Sequence, residues 1–181
     1  MNDVNETAQT FVAQARSLLS EDYLPKIEHC LEELSDEDVW WRANPESNSI
    51  GNLLLHLAGN VRQWIVSGVG GAPDERIRQQ EFDQQSGITR AELLARLKQV
   101  LKDADAALAA LDLSHLLETR RIQGNDVVLL EAIFHVTEHF AMHTGQIILL
   151  TKMLKGGDLK FYDFSGGRPE PTWKQTADDK R

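Results

Sequence analysis

The sequence predicts an all-α protein, a four-helix bundle with a long crossover between its second and third helices. Four stretches of the 181-residue chain repeat apolar residues at the spacing of an amphipathic helix. No stretch shows the period of two that is typical of a half-buried strand. Residues 68–88 separate the second helix from the third, and a connection of this length lets consecutive helices lie parallel in a bundle.

The first helix is predicted over residues 7–34. Pro25 should kink or divide it, because proline lacks the backbone N–H that the helix needs there. In the connection that follows, the tandem Trp40 and Trp41 would cover one end of the bundle. The apolar face of the helix consists of Phe11, Val12, Ala15, Leu18, Leu19, Ile27, Leu31 and Leu34.

The second helix is predicted to begin after the N-cap Ser49 and to end near Ser67, before a run of glycines. His56 stands inside its apolar face, with Asn52 one turn earlier and Asn60 one turn later. The crossover that follows should hold a short helix near residues 75–82. Two roles remain open for it, the parallel connection of helices or the covering of a site.

The third helix follows a capping box at Thr89 and Glu92 and should run to residue 111. A connection with a turn at Gly124 leads to the fourth helix, residues 127–155. We therefore divide the chain into a bundle, residues 1–155, and a tail, residues 156–181. The tail is expected to pack irregularly on the bundle as far as Trp173 and to fray beyond it.

Charge and composition narrow the partners and the compartment. A net charge of −9 argues against nucleic acid and against anionic membranes, since both attract clustered Lys and Arg. No apolar run is long enough for a membrane span, and the N-terminus lacks the pattern of a signal peptide. The single cysteine, Cys30, has no intramolecular partner for a disulfide. We expect a cytoplasmic protein.

Three histidines recur every four residues in the fourth helix, at His135, His139 and His143. Apolar neighbours such as Phe134 and Leu149 suggest that this helix is buried over much of its circumference. Because His135 and His143 would lie roughly 12 Å apart along the axis, only one adjacent pair can share an ion. Spacing leaves both pairs open, and either pair needs a third ligand, for which His56 is the best internal candidate.

Three blocks of the sequence resemble the signature blocks of the DinB-like metalloprotein superfamily: Trp41 with Arg42, residues 48–60, and residues 135–147. The resemblance covers about residues 5–155. It implies a four-helix bundle, commonly a homodimer, with a divalent ion held by one histidine of helix two and an H-x-x-x-H pair of helix four. On this chain those ligands are His56, His139 and His143, which gives His135 a neighbouring role without a bond to the metal.

Three imidazoles suit Zn²⁺, Ni²⁺ or Fe²⁺ and leave one coordination position free. Some members of the superfamily resemble thiol transferases that use a low-molecular-weight thiol, and others resemble hydrolases or isomerases. We therefore expect a metal-dependent enzyme that acts on a small molecule, by thiol S-transfer or hydrolysis. Candidates to orient the ligands through hydrogen bonds are His135, Asn60, Glu138 and Gln146.

Two other interpretations compete with the enzyme. The protein could be a non-catalytic metal-binding bundle that serves as a binding or stress-associated protein, in which case a structural ion needs a fourth protein ligand. Alternatively, the histidines are packed in a scaffold that binds no ion. The coordination shell distinguishes these interpretations.

Overall fold

The computed structural model describes residues 2–172, and this part of the chain is mainly helical. Its helices include α1 (Asn2–Ser17), α2 (Leu24–Glu32), α3 (Ile50–Val61), α4 (Arg78–Asp83), α5 (Arg90–Ala109) and α6 (Leu129–Lys155). Its strands are β1 (Thr119–Ile122), β2 (Asn125–Val128), β3 (Tyr162–Asp163) and β4 (Glu170–Pro171). The prediction of a predominantly helical protein is confirmed.

The first predicted helix is divided ahead of Pro25, as the sequence suggested. A π-helical segment, Leu18–Tyr23, joins α1 to α2, and Pro25 lies in the first turn of α2. Proline is tolerated there because the first N–H groups of a helix have no partner within it.

Helix α3 begins where its capping residues predict. The Ser49 side chain accepts a hydrogen bond from the Asn52 backbone N–H, and the Asn52 side chain accepts one from the Ser49 backbone N–H. After Val61 the chain continues as a π-helical segment, Arg62–Val69. This segment and α3 itself both pack against α5 and α6.

Helices α5 and α6 also follow their predicted signals. Thr89 and Glu92 form the capping box of α5, and α6 ends at Gly156 with a left-handed backbone conformation, φ 69°. The short helix in the crossover is α4. The core between the long helices is aliphatic, and its fully buried side chains include Ile27, Leu54, Leu57, Ile65, Leu97, Ile133, Phe140 and Ile147.

The prediction of no strands was wrong for the connection before α6. Strands β1 and β2 form an antiparallel hairpin in which Ile122 pairs with Asn125. The turn residues Gln123 and Gly124 have φ values of 50° and 79°, which is typical of the two-residue turns that suit hairpins. Mostly exposed four-residue strands give little alternation of polarity, so the pattern was too short to detect.

The prediction that α6 is buried around much of its circumference was also wrong on one side. Phe134, Met142, Leu149 and Met153 are each at least half exposed. They share one face of α6, because their positions fall within about 100° of the helix circumference. The opposite face, with Ile133, Phe140 and Ile147, is fully buried.

The tail is anchored where the structure describes it. Leu159 is buried, and its backbone carbonyl lies 2.7 Å from His29 Nε2 on α2. Strands β3 and β4 then pair as a short antiparallel ladder. Trp173 and the residues after it lie outside the described residues, so the predicted extent of tail packing is not tested.

Across residues 2–172, none of the helices combines the length and the hydropathy that a bilayer span requires.

Candidate metal centre

The fold brings His56 of α3 together with His139 and His143 of α6. The His139 Nε2 atom lies 3.1 Å from His56 Nε2 and 3.1 Å from His143 Nε2. The three ligand atoms are all within 4.8 Å of one another. Of the two adjacent pairs that spacing left open on α6, the pair that meets His56 is His139 with His143.

His56 is the most deeply buried of the three, with 6% of its surface exposed. Its Nδ1 atom lies 2.9 Å from Glu81 Oε2 on α4, and its ring packs 5.0 Å from that of Phe82. An ionised carboxylate only accepts hydrogen bonds, so His56 carries its proton on Nδ1 and donates it to Glu81. The Nε2 lone pair of His56 is therefore left facing His139.

Arg76 holds the Glu81 carboxylate from its other side. Its Nε atom lies 2.7 Å from Oε1 and its Nη2 atom 2.9 Å from Oε2, and both side chains are about nine-tenths buried or more. Burial alone would raise the pKa of Glu81, but the hydrogen bonds from Arg76 and His56 outweigh burial and lower it. Glu81 is thus held as a carboxylate beside the histidine.

Arg76 and Glu81 were not among the residues predicted for the site. They lie in the crossover, whose length had suggested a cover for a site without indicating which side chains would reach it. The crossover packs against α3 through α4, which contacts that helix directly. A charge pair five residues apart in a polar segment looks in the sequence like an ordinary exposed pair, so no clear signal was available.

His143 has its own partner on α6. Its Nδ1 atom lies 2.6 Å from Gln146 Oε1, and an amide oxygen accepts hydrogen bonds. His143 therefore also carries its proton on Nδ1 and turns the Nε2 lone pair toward His139. Burial lowers the pKa of His143, although the Gln146 hydrogen bond opposes part of that effect.

His139 lies between the other two imidazoles and is the least satisfied of them. Its Nδ1 atom is buried and has no hydrogen-bond partner within residues 2–172. Burial lowers the pKa of His139 to about 3, and the neighbouring histidines and Arg76 contribute to the same direction. The ring is therefore neutral near pH 7.

This donor set fits a divalent ion. Two nitrogens bound at about 2.1 Å to one ion lie roughly 3.0 to 3.4 Å apart, depending on the angle between the bonds. The observed separations of 3.1 Å fall in this range. Without an ion, a single N–H on His139 could satisfy only one of the two lone pairs that face it, and an ion would satisfy all three nitrogens.

The other predicted neighbours lie in different places. The His135 ring packs on that of Trp64, with a centroid distance of 4.2 Å, and is 5.4 Å from the His139 ring. Asn60 is buried, and its Oδ1 atom has no hydrogen-bond partner among the described residues. Burial lowers the pKa of His135, and the charge of Glu138, which is exposed on α6, opposes part of that effect. Of the four, Gln146 is the residue that reaches a histidine of the cluster through a hydrogen bond.

Two solved structures have folds similar to that of this chain. A crystal structure of a conserved protein from Enterococcus faecalis is similar over 80% of this chain and 97% of that chain, with a TM-score of 0.65 and 15% sequence identity. A crystal structure of a DinB-like protein from Bacillus cereus is similar over 76% of this chain and 91% of that chain, with a TM-score of 0.58 and 16% identity. At such identities the similarity shows the fold alone.

Sequence comparison identifies the family. A search of curated proteins found no match. The family described as "Protein of unknown function (DUF1572)" matches residues 6–168, which is most of the chain. The chain therefore belongs to the DUF1572 family.

Proposed function

We propose that this protein is a divalent-metal-dependent enzyme that acts on a small molecule, by thiol S-transfer or by hydrolysis. His56, His139 and His143 hold the ion. The observation that carries the proposal is the convergence of three Nε2 atoms, two of them with lone pairs fixed by acceptors on Nδ1. Zn²⁺, Ni²⁺ and Fe²⁺ all suit three imidazoles.

The size of the donor set favours an enzyme over a structural metal site. Structural zinc is held by four protein ligands, whereas catalytic zinc keeps three and leaves one position for water or a substrate. Among the described residues the converging set has three members, and His135 is not one of them. When bound, such an ion supplies Lewis acidity toward a water molecule or a thiol in the remaining position.

The residues around the cluster have complementary tasks in this proposal. Glu81 and Gln146 orient His56 and His143 through their Nδ1 atoms. The Phe82 ring packs on His56 and provides an apolar wall that reduces the access of water, while the Trp64 ring packs on the neighbouring His135. The proposal also includes a four-helix bundle over residues 1–155, with 156–181 as its tail, and the packing of α3 against α5 and α6 supports it.

Metal analysis of protein purified without a histidine tag tests the site. We expect close to one divalent ion per chain, either as isolated or after addition of Zn²⁺, Ni²⁺ or Fe²⁺. A content well below one ion, with no uptake on addition, would overturn the proposal.

A second measurement separates the two chemistries. Protein loaded with Co²⁺ is titrated with cysteine as a small thiol, and a sulfur-to-cobalt charge-transfer band is expected if the substrate is a thiol. Metal-dependent turnover of a panel of activated esters and amides without such a band would favour hydrolysis. Stoichiometric metal with neither result would favour the non-catalytic metal-binding protein.

The exposed apolar face of α6 supports a homodimer. Glu138 and Lys152 stand seven residues before and after Gly145, on the same face and both exposed. An antiparallel pair of α6 helices that cross at Gly145 would place Glu138 of one copy near Lys152 of the other, with Met142 and Leu149 between them. We expect Leu149→Lys to convert a dimer to a monomer in sedimentation analysis, and a monomeric native protein would overturn this part of the proposal.

A further inference from the structure

The crossover that contains α4 is attached to α3 on both sides of His56. One turn before His56, the Asn52 amide donates hydrogen bonds to the backbone carbonyls of Glu81 and Gln84, each at 2.8 Å. On the other side, the Glu81 side chain lies against Gly59. These two attachments fix the position of the Glu81 carboxylate next to His56.

Gly59 is the residue that makes room for this carboxylate. A Cβ atom at position 59 would lie 2.0 Å from Glu81 Oε1 and 2.9 Å from Arg76 Nε. Glycine is less favourable than alanine inside a helix, so an interior glycine indicates that a side chain would not fit there. The space that it leaves is filled by the buried ion pair of Arg76 and Glu81.

Glu81 and Arg76 connect His56 to a longer polar chain. Arg76 Nη1 donates to Gln63 Oε1 at 2.9 Å, and Gln63 Nε2 donates to Asp74 Oδ2 at 2.8 Å. Asp74 and Arg76 both belong to the crossover, while Gln63 belongs to the π-helical continuation of α3. These hydrogen bonds therefore link the crossover to α3 and its π-helical continuation through side chains at several positions.

We propose that Glu81 is a positioning residue for the metal ligand His56, held in place by Arg76 and admitted by Gly59. The crossover thereby controls how tightly the ion is retained. Glu81 fixes the His56 tautomer with Nδ1 protonated, and only this neutral tautomer presents a lone pair on Nε2. This inference rests on the proposed function, because it concerns the same ion.

One contact in the cluster favours the opposite tautomer. Arg76 Nη2 lies 3.1 Å from His56 Nδ1, and a guanidinium donor would bond to an unprotonated Nδ1. Glu81 Oε2 is closer to that atom, at 2.9 Å, and an unprotonated Nδ1 would face the lone pairs of a carboxylate. Since Nη2 is also 2.9 Å from Oε2, Arg76 satisfies its donor on Glu81 and leaves the His56 proton in place.

The test compares Glu81→Gln and Gly59→Ala with the native chain. Affinity for Zn²⁺ is measured by competition with a chromophoric chelator, and the tautomer of His56 is read from ¹⁵N chemical shifts of the metal-free protein. Each variant should lose about 10- to 100-fold in affinity, as expected when the hydrogen-bond partner of a ligand is lost. In Glu81→Gln the side-chain amide can face Nδ1 with either its oxygen or its NH2 group, so the ¹⁵N shifts of His56 should move toward those of a mixture of tautomers.

A double variant that combines Gly59→Ala with Glu81→Gln tests whether the two residues act through the same interaction. If Gly59→Ala acts by displacing the Glu81 carboxylate, adding Glu81→Gln to it should cause little further loss, because both changes remove one interaction. Gly51→Ala is the matched control on the same helix. Its Cβ would lie 2.7 Å from the Trp40 ring, eight residues before Gly59, so it should destabilise the fold while keeping the zinc affinity of the folded protein within threefold.

Two failures are distinguishable. If the native chain takes up no zinc, the proposed function fails. If the native chain binds zinc but Glu81→Gln keeps its affinity within threefold, or keeps the His56 tautomer unchanged, this inference alone is overturned. Glu81→Gln preserves the shape of the side chain, so the test does not depend on Gly59→Ala folding.

Discussion

The two sides of the histidine cluster are built differently. On the α3 side, His56 is buried and bonded to a carboxylate that is itself bonded to a buried arginine. On the α6 side, His143 is bonded to the exposed Gln146, and the Nδ1 atom of His139 has no partner among the described residues. On the α3 side, a buried hydrogen bond to a charged carboxylate fixes the imidazole. On the α6 side, the imidazoles are positioned by the helix backbone and by one hydrogen bond to a neutral amide.

This difference indicates where the site can adapt. A buried carboxylate and guanidinium need each other, since a single one left behind would be a buried unpaired charge. An exposed amide can be replaced by water at little cost. We therefore expect His56 to be the fixed member of the set, and His139 and His143 to adjust around it.

The largest effect should follow removal of a ligand on the α6 side. His139 lies between the other two nitrogens, so His139→Ala should reduce zinc affinity by more than the roughly 100-fold that the loss of a hydrogen-bond partner can cost. Competition with a chelator measures the effect. His115→Ala, a change at an exposed histidine outside the cluster, is the control. Retention of affinity in His139→Ala would exclude our choice of ligand pair.

Acid should destabilise the metal-free protein through the α6 side first. The pKa of His139 is near 3 in the folded protein and near 6.5 in the unfolded chain, so the unfolded chain binds the proton first as pH falls. The contribution of His139 to the free energy of unfolding is therefore complete above pH 6.5 and is lost as pH falls from 6.5 toward 3. We expect the melting temperature to fall on the order of 5 °C between pH 7 and pH 5.

The same titration separates the histidines from the carboxylates. Glu81 and Asp38 have lowered pKa values, so their contributions are lost only below their ordinary values of 4.5 and 3.8. Between pH 5 and pH 7, His139→Gln should therefore reduce the slope of melting temperature against pH. The same slope in this variant and in the native chain would show that His139 is not the group responsible.

The sequence predicted much of the α6 side, and the reason is local spacing. Residues four apart on a helix share a face, so the row of His135, His139 and His143 was enough to predict which helix carries two of the three converging histidines. Gln146 lies three residues after His143 and was found for the same reason. Capping residues such as Ser49, Thr89 and Gly156 likewise predicted helix ends, because they act on neighbouring backbone groups.

The α3 side could be predicted only in part. His56 stood out as a polar residue in an apolar helix, but its partner Glu81 lies 25 residues away in a segment without periodicity. Contacts between distant segments depend on tertiary packing, which no local pattern encodes. The exposure of Phe134 and Leu149 was missed for a related reason, since apolar character does not indicate whether a helix face is covered.

A smaller effect on zinc affinity is expected from loss of the Gln146 amide, which is the neutral hydrogen-bond partner of His143. Gln146→Ala should lower zinc affinity by less than about tenfold, at the lower limit of effects for such partners, because Gln146 is exposed and water can accept the His143 proton. Gln99→Ala, at an exposed glutamine on α5, is a suitable control. A loss in Gln146→Ala equal to that in Glu81→Gln would mean that the two sides of the site are equivalent.

The smallest effect on metal binding should come from substitution of His135. This substitution tests whether the ion has three protein ligands and an open position or four protein ligands. The His135 ring packs on Trp64, and it lies outside the converging donor set. His135→Phe should keep this packing and leave zinc affinity within threefold. His135→Ala should cost about 1 kcal/mol of stability through the lost aromatic contact, measured by chemical denaturation of the metal-free protein. If His135→Phe instead lost zinc, His135 would be a fourth protein ligand, and because a closed shell leaves no position for a substrate, the ion would be structural.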